Sequence, residues 1–352
     1  MVYNILGVNL SHNGSIALVS DGKLILYLEE ERLSRFKSDS NPYILLDKYL
    51  KKFNINHLVF TGVNTESLNS VKTFEKIFKD FLLNTEITLL FNHHHYNHAF
   101  CAFTNSGFKT ANNIVLDFGG SYENLSQESE SIFYFTQDSL SEKKIYKSYN
   151  NFCLSIAGIT KTYSSVGLIF GINSQEGGKL MGLSSYGKKN SSLPDFFING
   201  KGNPELFISN IPGKAGFIYN NLWNFGYKED LSNKKLPSVG KDIAYKIQQD
   251  SQKEIAKLVE KSIQFNNCSN VTISGGFGLN CVNNYFLKKK FPNINFYFEP
   301  ISHDGGTAIG AAYWRWKELN PNFKFKPLKS LYLGPQYSKE QLLEGIKKYV
   351  SN

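Results

Sequence analysis

The sequence has no CxxC pair. Its four cysteines, Cys101, Cys153, Cys268 and Cys281, stand apart in a chain of 352 residues. That spacing argues against a Cys-ligated zinc site, excludes a small disulfide scaffold, and fits reduced thiols in a cytosol. No apolar stretch reaches the ~18 residues that read as a membrane span. The N-terminus, Met1-Val2-Tyr3-Asn4, lacks the basic-then-apolar pattern of a secretory leader. The chain is expected to be soluble and cytoplasmic, with no membrane partner. Repeats of roughly 20–50 residues are absent, as are low-complexity linkers. Collagen, coiled-coil and transporter architectures are thereby excluded.

What is present is globular. Hydrophobic residues make up 41% and charged residues 20%, too apolar a mixture for a disordered chain. At ~100–200 residues per domain, the length allows one large domain or two lobes. Lys plus Arg is 39 against 30 for Asp plus Glu, a net charge of +9. A solvated surface accounts for such an excess; an anionic ligand or nucleic acid would also use it.

The opening predicts three strands, 3–8, 15–19 and 23–28, with Asp21-Gly22 as the hairpin turn between the last two. Further strands are predicted at 58–61 and 87–91. A second opening of the same kind follows, with strand 113–117, the turn Phe118-Gly119-Gly120-Ser121 and strand 131–135. Two such openings predict two lobes of similar build. Residues 241–265 have helical spacing, with Ile243, Ile247, Ile255 and Leu258 on one side. Strand 270–273, the turn Ser274-Gly275-Gly276, a helix from about Gly278, strand 296–298 and helix 307–316 complete the pattern. Residues 188–240, with Pro194, Pro204, Pro212 and Pro237, read as an irregular insertion. The expected division is a first lobe over 1–110 completed by the helix at 305–330, a second lobe over 111–304, and a tail over 331–352.

Four of the seven histidines fall in Asn92-His93-His94-His95-Tyr96-Asn97-His98. His94 and His98 are four apart, so on a helix they share one face, which suits two imidazoles on one metal. A closed site needs further ligands, typically carboxylates for iron or zinc. Asp117, at a strand end before a glycine turn, and Asp304, before a helix, are the candidates. Three glycine-rich turns could face an anion with backbone N–H groups: 117–121, 175–182 and 274–280. Each alone is an ordinary tight turn; together they favour a nucleotide cleft. The run Glu29-Glu30-Glu31-Arg32-Leu33-Ser34-Arg35-Phe36-Lys37 reads as a solvated helix start or as a phosphate-binding group. His12, in a polar turn after the first strand, is a candidate base.

Taken together, these residues resemble the carbamoyltransferases of the nodulation and antibiotic-tailoring type. The resemblance runs from Gly7 to about Pro335. It is carried by Ser11-His12-x-x-Ser15, Glu29-Glu30-Glu31-Arg32-x-Ser34-Arg35-x-Lys37, His94-His95-x-x-His98-Ala99 and Asp117-x-Gly119. It continues through Glu176-Gly177-x-Lys179-x-Met181-Gly182, Gly275-Gly276-x-x-Leu279-Asn280-Cys281-Val282-x-Asn284 and Asp304-x-Gly306-Thr307. The resemblance implies an α/β chain with the two-lobed actin/Hsp70-like (ribonuclease-H-like) fold, mixed sheets and a cleft between lobes. It implies transfer of a carbamoyl group from carbamoyl-adenylate, made from carbamoyl phosphate and ATP, to an acceptor hydroxyl. By the same resemblance His94, His98, Asp117 and Asp304 match metal ligands, with Fe2+ the expected ion, and His12 matches the base. Lys37 and Lys179 would face phosphates, and Glu176, Gly177, Gly275, Gly276, Asn280 and Asn284 would hold the nucleotide.

Two departures from the family pattern stand out. Asn13 takes the place of an aspartate that would orient His12. The chain also stops soon after Leu331-Tyr332-Leu333-Gly334-Pro335, where such proteins continue into a YrdC-like adenylating domain. Either a separate YrdC-like protein is the partner, or the sequence is a fragment of a longer protein, or the function differs. The expected acceptor is a sugar, another small molecule or a hydroxymethylated base in DNA. The alternatives are a tRNA threonylcarbamoyladenosine-type transferase and a non-catalytic nucleotide-binding subunit of a split complex.

Overall fold

A computed structural model describes residues 2–63, 67–79, 85–123, 126–151, 156–204, 206, 238–334 and 336–350. Cys153, Pro212, Pro237 and Pro335 lie outside the described residues, as does much of the expected insertion.

The first sheet contains β1 (Asn4–Asn9), β2 (Ser15–Ser20), β3 (Lys23–Glu29), β4 (His57–Thr61) and β5 (Glu86–Leu90), in the order β3-β2-β1-β4-β5. β1 pairs antiparallel with β2 and parallel with β4. The predicted hairpin turn is there: Asp21 and Gly22 both have positive φ, 45° and 77°, which matches strand twist at a two-residue turn. Between these strands run α1 (Glu31–Ser34), α2 (Tyr43–Leu50) and α3 (Ser67–Ile77). Side chains alternate along the strands as period two requires. Leu6, Val8, Ile16, Leu18, Leu58 and Phe60 pack with α2 and α3, whereas Ile5, Ala17, Val19 and Val59 face the opposite way.

Next come α4 (His94–Ser106), β6 (Thr110–Leu116), β7 (Tyr122–Glu123), β8 (Ser126–Thr136), β9 (Ser139–Asn151), α5 (Ile159–Ile169) and α6 (Gly177–Ser184). β10 (Phe197–Ile198) and β11 (Lys201–Gly202) form a small ribbon in the described part of the insertion. The chain continues through α7 (Ser238–Asn266), β12 (Asn270–Ser274), α8 (Cys281–Lys290), β13 (Asn295–Phe298), α9 (Thr307–Leu319) and α10 (Lys339–Val350). In the second sheet β13-β12-β6-β8 run in order with β9 beyond β8. β6 is antiparallel to β8 and parallel to β12, and β8 is antiparallel to β9. Read from β9, this is the β3-β2-β1-β4-β5 order again. The expectation of two similarly built lobes holds at the level of strand order and direction.

α4 and α9 form a middle layer. Twelve residues of α4 are buried, so it is covered on every side rather than along one stripe. It packs on α9 and on β6, β8 and β12, while α9 packs on β1, β2 and β4. Gly310 makes the α4–α9 contact possible: a Cβ there would meet the Asn97 carbonyl oxygen at 2.0 Å.

The structure corrects several boundaries. The helix expected from about Gly278 begins at Cys281, after a 3₁₀ turn over Gly276–Leu279. Asn280 sets this start, its side chain accepting the Asn283 N–H at 3.0 Å. The 175–182 segment, expected as an open glycine turn, is mostly helix α6. β9 and α10 had no counterpart in the sequence reading. No helix among the described residues is long and apolar enough to cross a membrane.

Candidate active site

The C-terminal ends of β1, β6 and β12 and the N-terminal ends of α4 and α9 meet at one end of the molecule. In α/β sheets such ends line the ligand crevice. A cavity of about 610 Å³ opens there, bordered by His12, Lys37, Asp117, Gly177, Gly276, Asn280 and Asp304.

His94 and His98 project from the first turns of α4 with their Nε2 atoms 3.1 Å apart. Asp117, just past β6, brings Oδ2 to 3.2 Å from His94 Nε2. Asp304, in the turn before α9, brings Oδ1 to 3.7 Å from His94 Nε2 and 3.6 Å from His98 Nε2. All four residues are buried, and one ligand atom from each lies within 4.8 Å of the others. Donors each ~2.0–2.2 Å from a shared ion would be spaced much like this. The chemistry also fits. Two carboxylates gathered in a buried site need positive charge, and two imidazoles with two carboxylates suit iron or zinc.

Without a cation, protons supply part of that charge. Burial disfavours a charged His94 imidazole, but Asp304 and Asp117 outweigh it and raise its pKa to about 9. Burial likewise disfavours the Asp304 carboxylate, yet His12 and His94 lower its pKa to about 2. Asp117 is also held below the usual carboxylate range, burial being outweighed by His94 and its neighbours. His95 does not join the group. Its Nδ1 faces Ser131 Oγ at 2.8 Å, and burial pushes its pKa down to about 4.

His12 stands at the rim. Its Nε2 lies 3.3 Å from Asp304 Oδ2, and its Nδ1 lies 3.4 Å from Asn13 Oδ1. Asn13 has φ of 56°, a region asparagine tolerates better than most residues. Asp304 thus supplies a carboxylate beside His12 from the far end of the chain, although Asn13 is not acidic. Ser11 Oγ also reaches Asp304 Oδ2, at 3.3 Å.

The expected nucleotide residues divide in two. Gly276 lines the cavity, its N–H already donated to Asp117 Oδ1 at 3.0 Å. Gly275 shapes the turn, with φ of 82° and room for no Cβ beside the Leu116 carbonyl. Asn284 also holds the turn, donating Nδ2 to the Gly278 carbonyl at 2.7 Å. Lys179 and Lys37 converge on one carboxylate, Glu176 Oε1, at 2.7 and 3.5 Å. That joins β3's following loop to α6 across the mouth of the cavity. The acidic run divides too. Buried Glu30 is structural, accepting the N–H groups of Ile44 and Leu45 at the start of α2.

Sequence reasoning missed Gln248. Buried on the inner face of α7, its side chain accepts Tyr163's hydroxyl at 3.0 Å and Asn280 Nδ2 at 3.0 Å on a single oxygen. This fixes two residues of the cavity wall, and Tyr163 stands edge-on to Phe277, their ring centres 5.0 Å apart. It missed Lys161 as well, whose Nζ lies 4.5 Å from the Phe118 ring centre behind the wall, burial pushing its pKa down to about 7.

The chain is similar to several known proteins. Nodulation protein NolNO of Sinorhizobium fredii is 23% identical over 371 residues, covering 95% of this chain and 50% of that protein. An uncharacterised Synechocystis protein, sll1178, is 26% identical over 407 residues, covering 98% of this chain and 62% of that protein. The chain therefore spans about half to three-fifths of the length of these relatives. Among solved structures, HypF of T. kodakarensis superposes with a TM-score of 0.56 over 93% of this chain and 49% of HypF, at 11% identity. That likeness supports the actin/Hsp70-type fold. The model for the carbamoyltransferase N-terminus matches residues 71–313, well over half of the chain. The chain belongs to the carbamoyltransferase family.

Proposed function

We propose that this chain is the transfer half of a metal-dependent O-carbamoyltransferase. The observation that carries the reading is the quartet His94, His98, Asp117 and Asp304 set beside His12 in the cleft of a carbamoyltransferase chain. The donor would be carbamoyl-adenylate, and the acceptor a hydroxyl on a sugar or other small molecule. HypF, a structural relative at 12% identity and a TM-score of 0.53, is described in a phosphate- and nucleotide-bound form. For this chain the nucleotide reading is supported by the cavity bordered by Lys37, Gly177, Gly276 and Asn280.

The quartet would hold a divalent ion such as Fe2+, which when bound supplies Lewis-acid stabilisation of negative charge on the carbamoyl oxygen. The other roles belong to the chain. His12 takes the acceptor's hydroxyl proton as that oxygen bonds to the carbamoyl carbon, and the bond to the adenylate oxygen breaks to release AMP. His12 has an oxygen beside each ring nitrogen, Asn13 Oδ1 at 3.4 Å from Nδ1 and Asp304 Oδ2 at 3.3 Å from Nε2, which hold the ring at the rim of the cleft. Lys37 and Lys179 lie where the phosphate of the adenylate could replace Glu176 as their shared anion. The Tyr163–Gln248–Asn280 network keeps the wall against the nucleoside rigid.

The test is to incubate the chain with Fe2+, ATP, carbamoyl phosphate and a panel of sugar acceptors, with and without a YrdC-type protein and beside that protein alone, and to measure AMP above the YrdC-only background. Turnover only with the added protein supports the transfer-half reading. Turnover by the chain alone would overturn the need for a separate adenylating unit.

A further inference from the structure

The metal quartet and His12 leave one cleft carboxylate without a role. Glu29 ends β3 and borders the same cavity as His12 and Asp304. One of its oxygens is held from two sides. The buried hydroxyl of Tyr27 donates to Oε1 at 3.1 Å, and His303 Nε2 lies 3.4 Å from the same atom. The His303 ring is itself oriented: its Nδ1 accepts the Gly305 N–H at 3.1 Å, which leaves the proton of the neutral ring on Nε2, facing Glu29. The other described carboxylates lining the cavity are committed. Asp117 and Asp304 belong to the quartet, and Glu31 accepts the Ser38 N–H at 2.8 Å and faces Arg32. Among the described residues no donor meets Glu29 Oε2. The side chain is 12% exposed, and Oε2 is not among the fully buried unpartnered oxygens of the described residues, so it keeps access to the cavity that Glu29 borders.

The chemistry of the transferred group says what such an oxygen would read. A carbamoyl group and an acetyl group have nearly the same shape; they differ by NH2 in place of CH3. Size cannot separate them, but the NH2 carries two donors. An ionised carboxylate only accepts, and a charged acceptor is roughly twice as strong as a neutral one. Left facing a methyl group, it would be desolvated without a partner, which penalises the wrong substrate.

We propose that Glu29 is a specificity-determining residue of this cleft, its Oε2 accepting an N–H of the carbamoyl amide, with Tyr27 and His303 as its positioning residues. The assignment rests on the carbamoyl-adenylate reading above.

Calorimetric titration of the intact chain with two adenosine esters tests it. 5′-O-(N-carbamoylsulfamoyl)adenosine ends in an NH2 where the carbamoyl group does, and 5′-O-(N-acetylsulfamoyl)adenosine ends in a methyl group there. The wild-type chain should bind the carbamoyl ester at least about 10-fold more tightly. In Glu29→Gln the amide oxygen turns to Tyr27 and His303, so its NH2 faces the ligand's NH2, donor against donor. The preference should then fall to about one, with affinity for the acetyl ester unchanged, an outcome that a general loss of structure would not produce. Tyr27→Phe keeps the carboxylate but frees it, and should give an intermediate ratio; it decides the matter if Glu29→Gln does not fold. Equal affinities in the wild type, or a ratio unmoved by either substitution, would overturn the role of Glu29. If the wild-type chain binds neither ester, the carbamoyl-adenylate reading itself falls, and the proposal with it.

Discussion

Asp304 faces two ways: its Oδ1 lies 3.6 Å from His98 Nε2, and its Oδ2 lies 3.3 Å from His12 Nε2. One carboxylate thus links the buried quartet to the exposed candidate base. Asp304→Asn should lower both metal affinity and turnover, whereas His12→Ala should lower turnover alone. Loss of a positioned base costs ~10²–10⁴-fold in rate. Metal content measured beside kcat separates the two variants; a His12→Ala protein that also loses its metal would contradict this division of roles.

The quartet predicts metal binding lost residue by residue. Changes beyond the ligands already cost ~10–100-fold in metal affinity, so His94→Ala, His98→Ala or Asp117→Asn should each cost at least that much. Elemental analysis after dialysis against Fe2+ or Zn2+ reads this directly. His95→Gln, whose ring faces Ser131, should retain the metal.

Stability of the metal-free chain should depend on pH in a defined sense. The His94 pKa is raised to about 9, against roughly 6.5 unfolded, so its contribution is complete below ~6.5 and is lost as pH rises through 9. The Asp304 pKa is lowered to about 2, so its contribution is complete above ~3.9 and is lost as pH falls through 2. Buried Glu299 adds a loss at lower pH: burial raises its pKa to about 7, so its contribution is complete below ~4.3 and is lost as pH rises through 7. Melting temperature should therefore peak near pH 4, fall first as Glu299 ionises and fall further toward pH 9, the His94 part being on the order of 2–3 kcal/mol. Bound divalent metal should flatten the alkaline side, since it replaces the proton on His94. Glu299→Gln should shrink the decline without affecting metal content.

Gly310→Ala should damage the site from a distance. The new Cβ would press on the Asn97 carbonyl, one residue from His98, and push α9 away from α4. Overpacking of this kind costs about 1–3 kcal/mol. Thermal melts should show that loss, together with weaker metal binding than an exposed control such as Gly345→Ala, whose Cβ would meet nothing.

The ligand candidates were legible because each carries a local mark: His94 and His98 by helical spacing, Asp117 by a strand running into a glycine turn, Asp304 by the turn before a small-residue helix. The repeated lobe topology was legible from two strand–turn–strand openings. β9 was not, because its lysines and serines mask the alternation of a sheet-edge strand. Gln248 was not, because a buried amide on an amphipathic helix is marked only by the partners that topology brings to it. The pairing of Lys37 and Lys179 on Glu176 was hidden for the same reason: nothing in either segment records that the other lies across the cleft.

The central claim is that this cleft transfers a carbamoyl group from an adenylate under metal control. The most direct measurement is AMP release from ATP and carbamoyl phosphate, in the presence of a panel of sugar acceptors, by the Fe2+-loaded chain with a YrdC-type protein, compared with the His94→Ala chain under the same conditions. The account predicts AMP formation by the first, and loss of AMP formation above the YrdC-only background in the second. Equal AMP release with and without His94, or none from a chain that holds both metal and nucleotide, would contradict it.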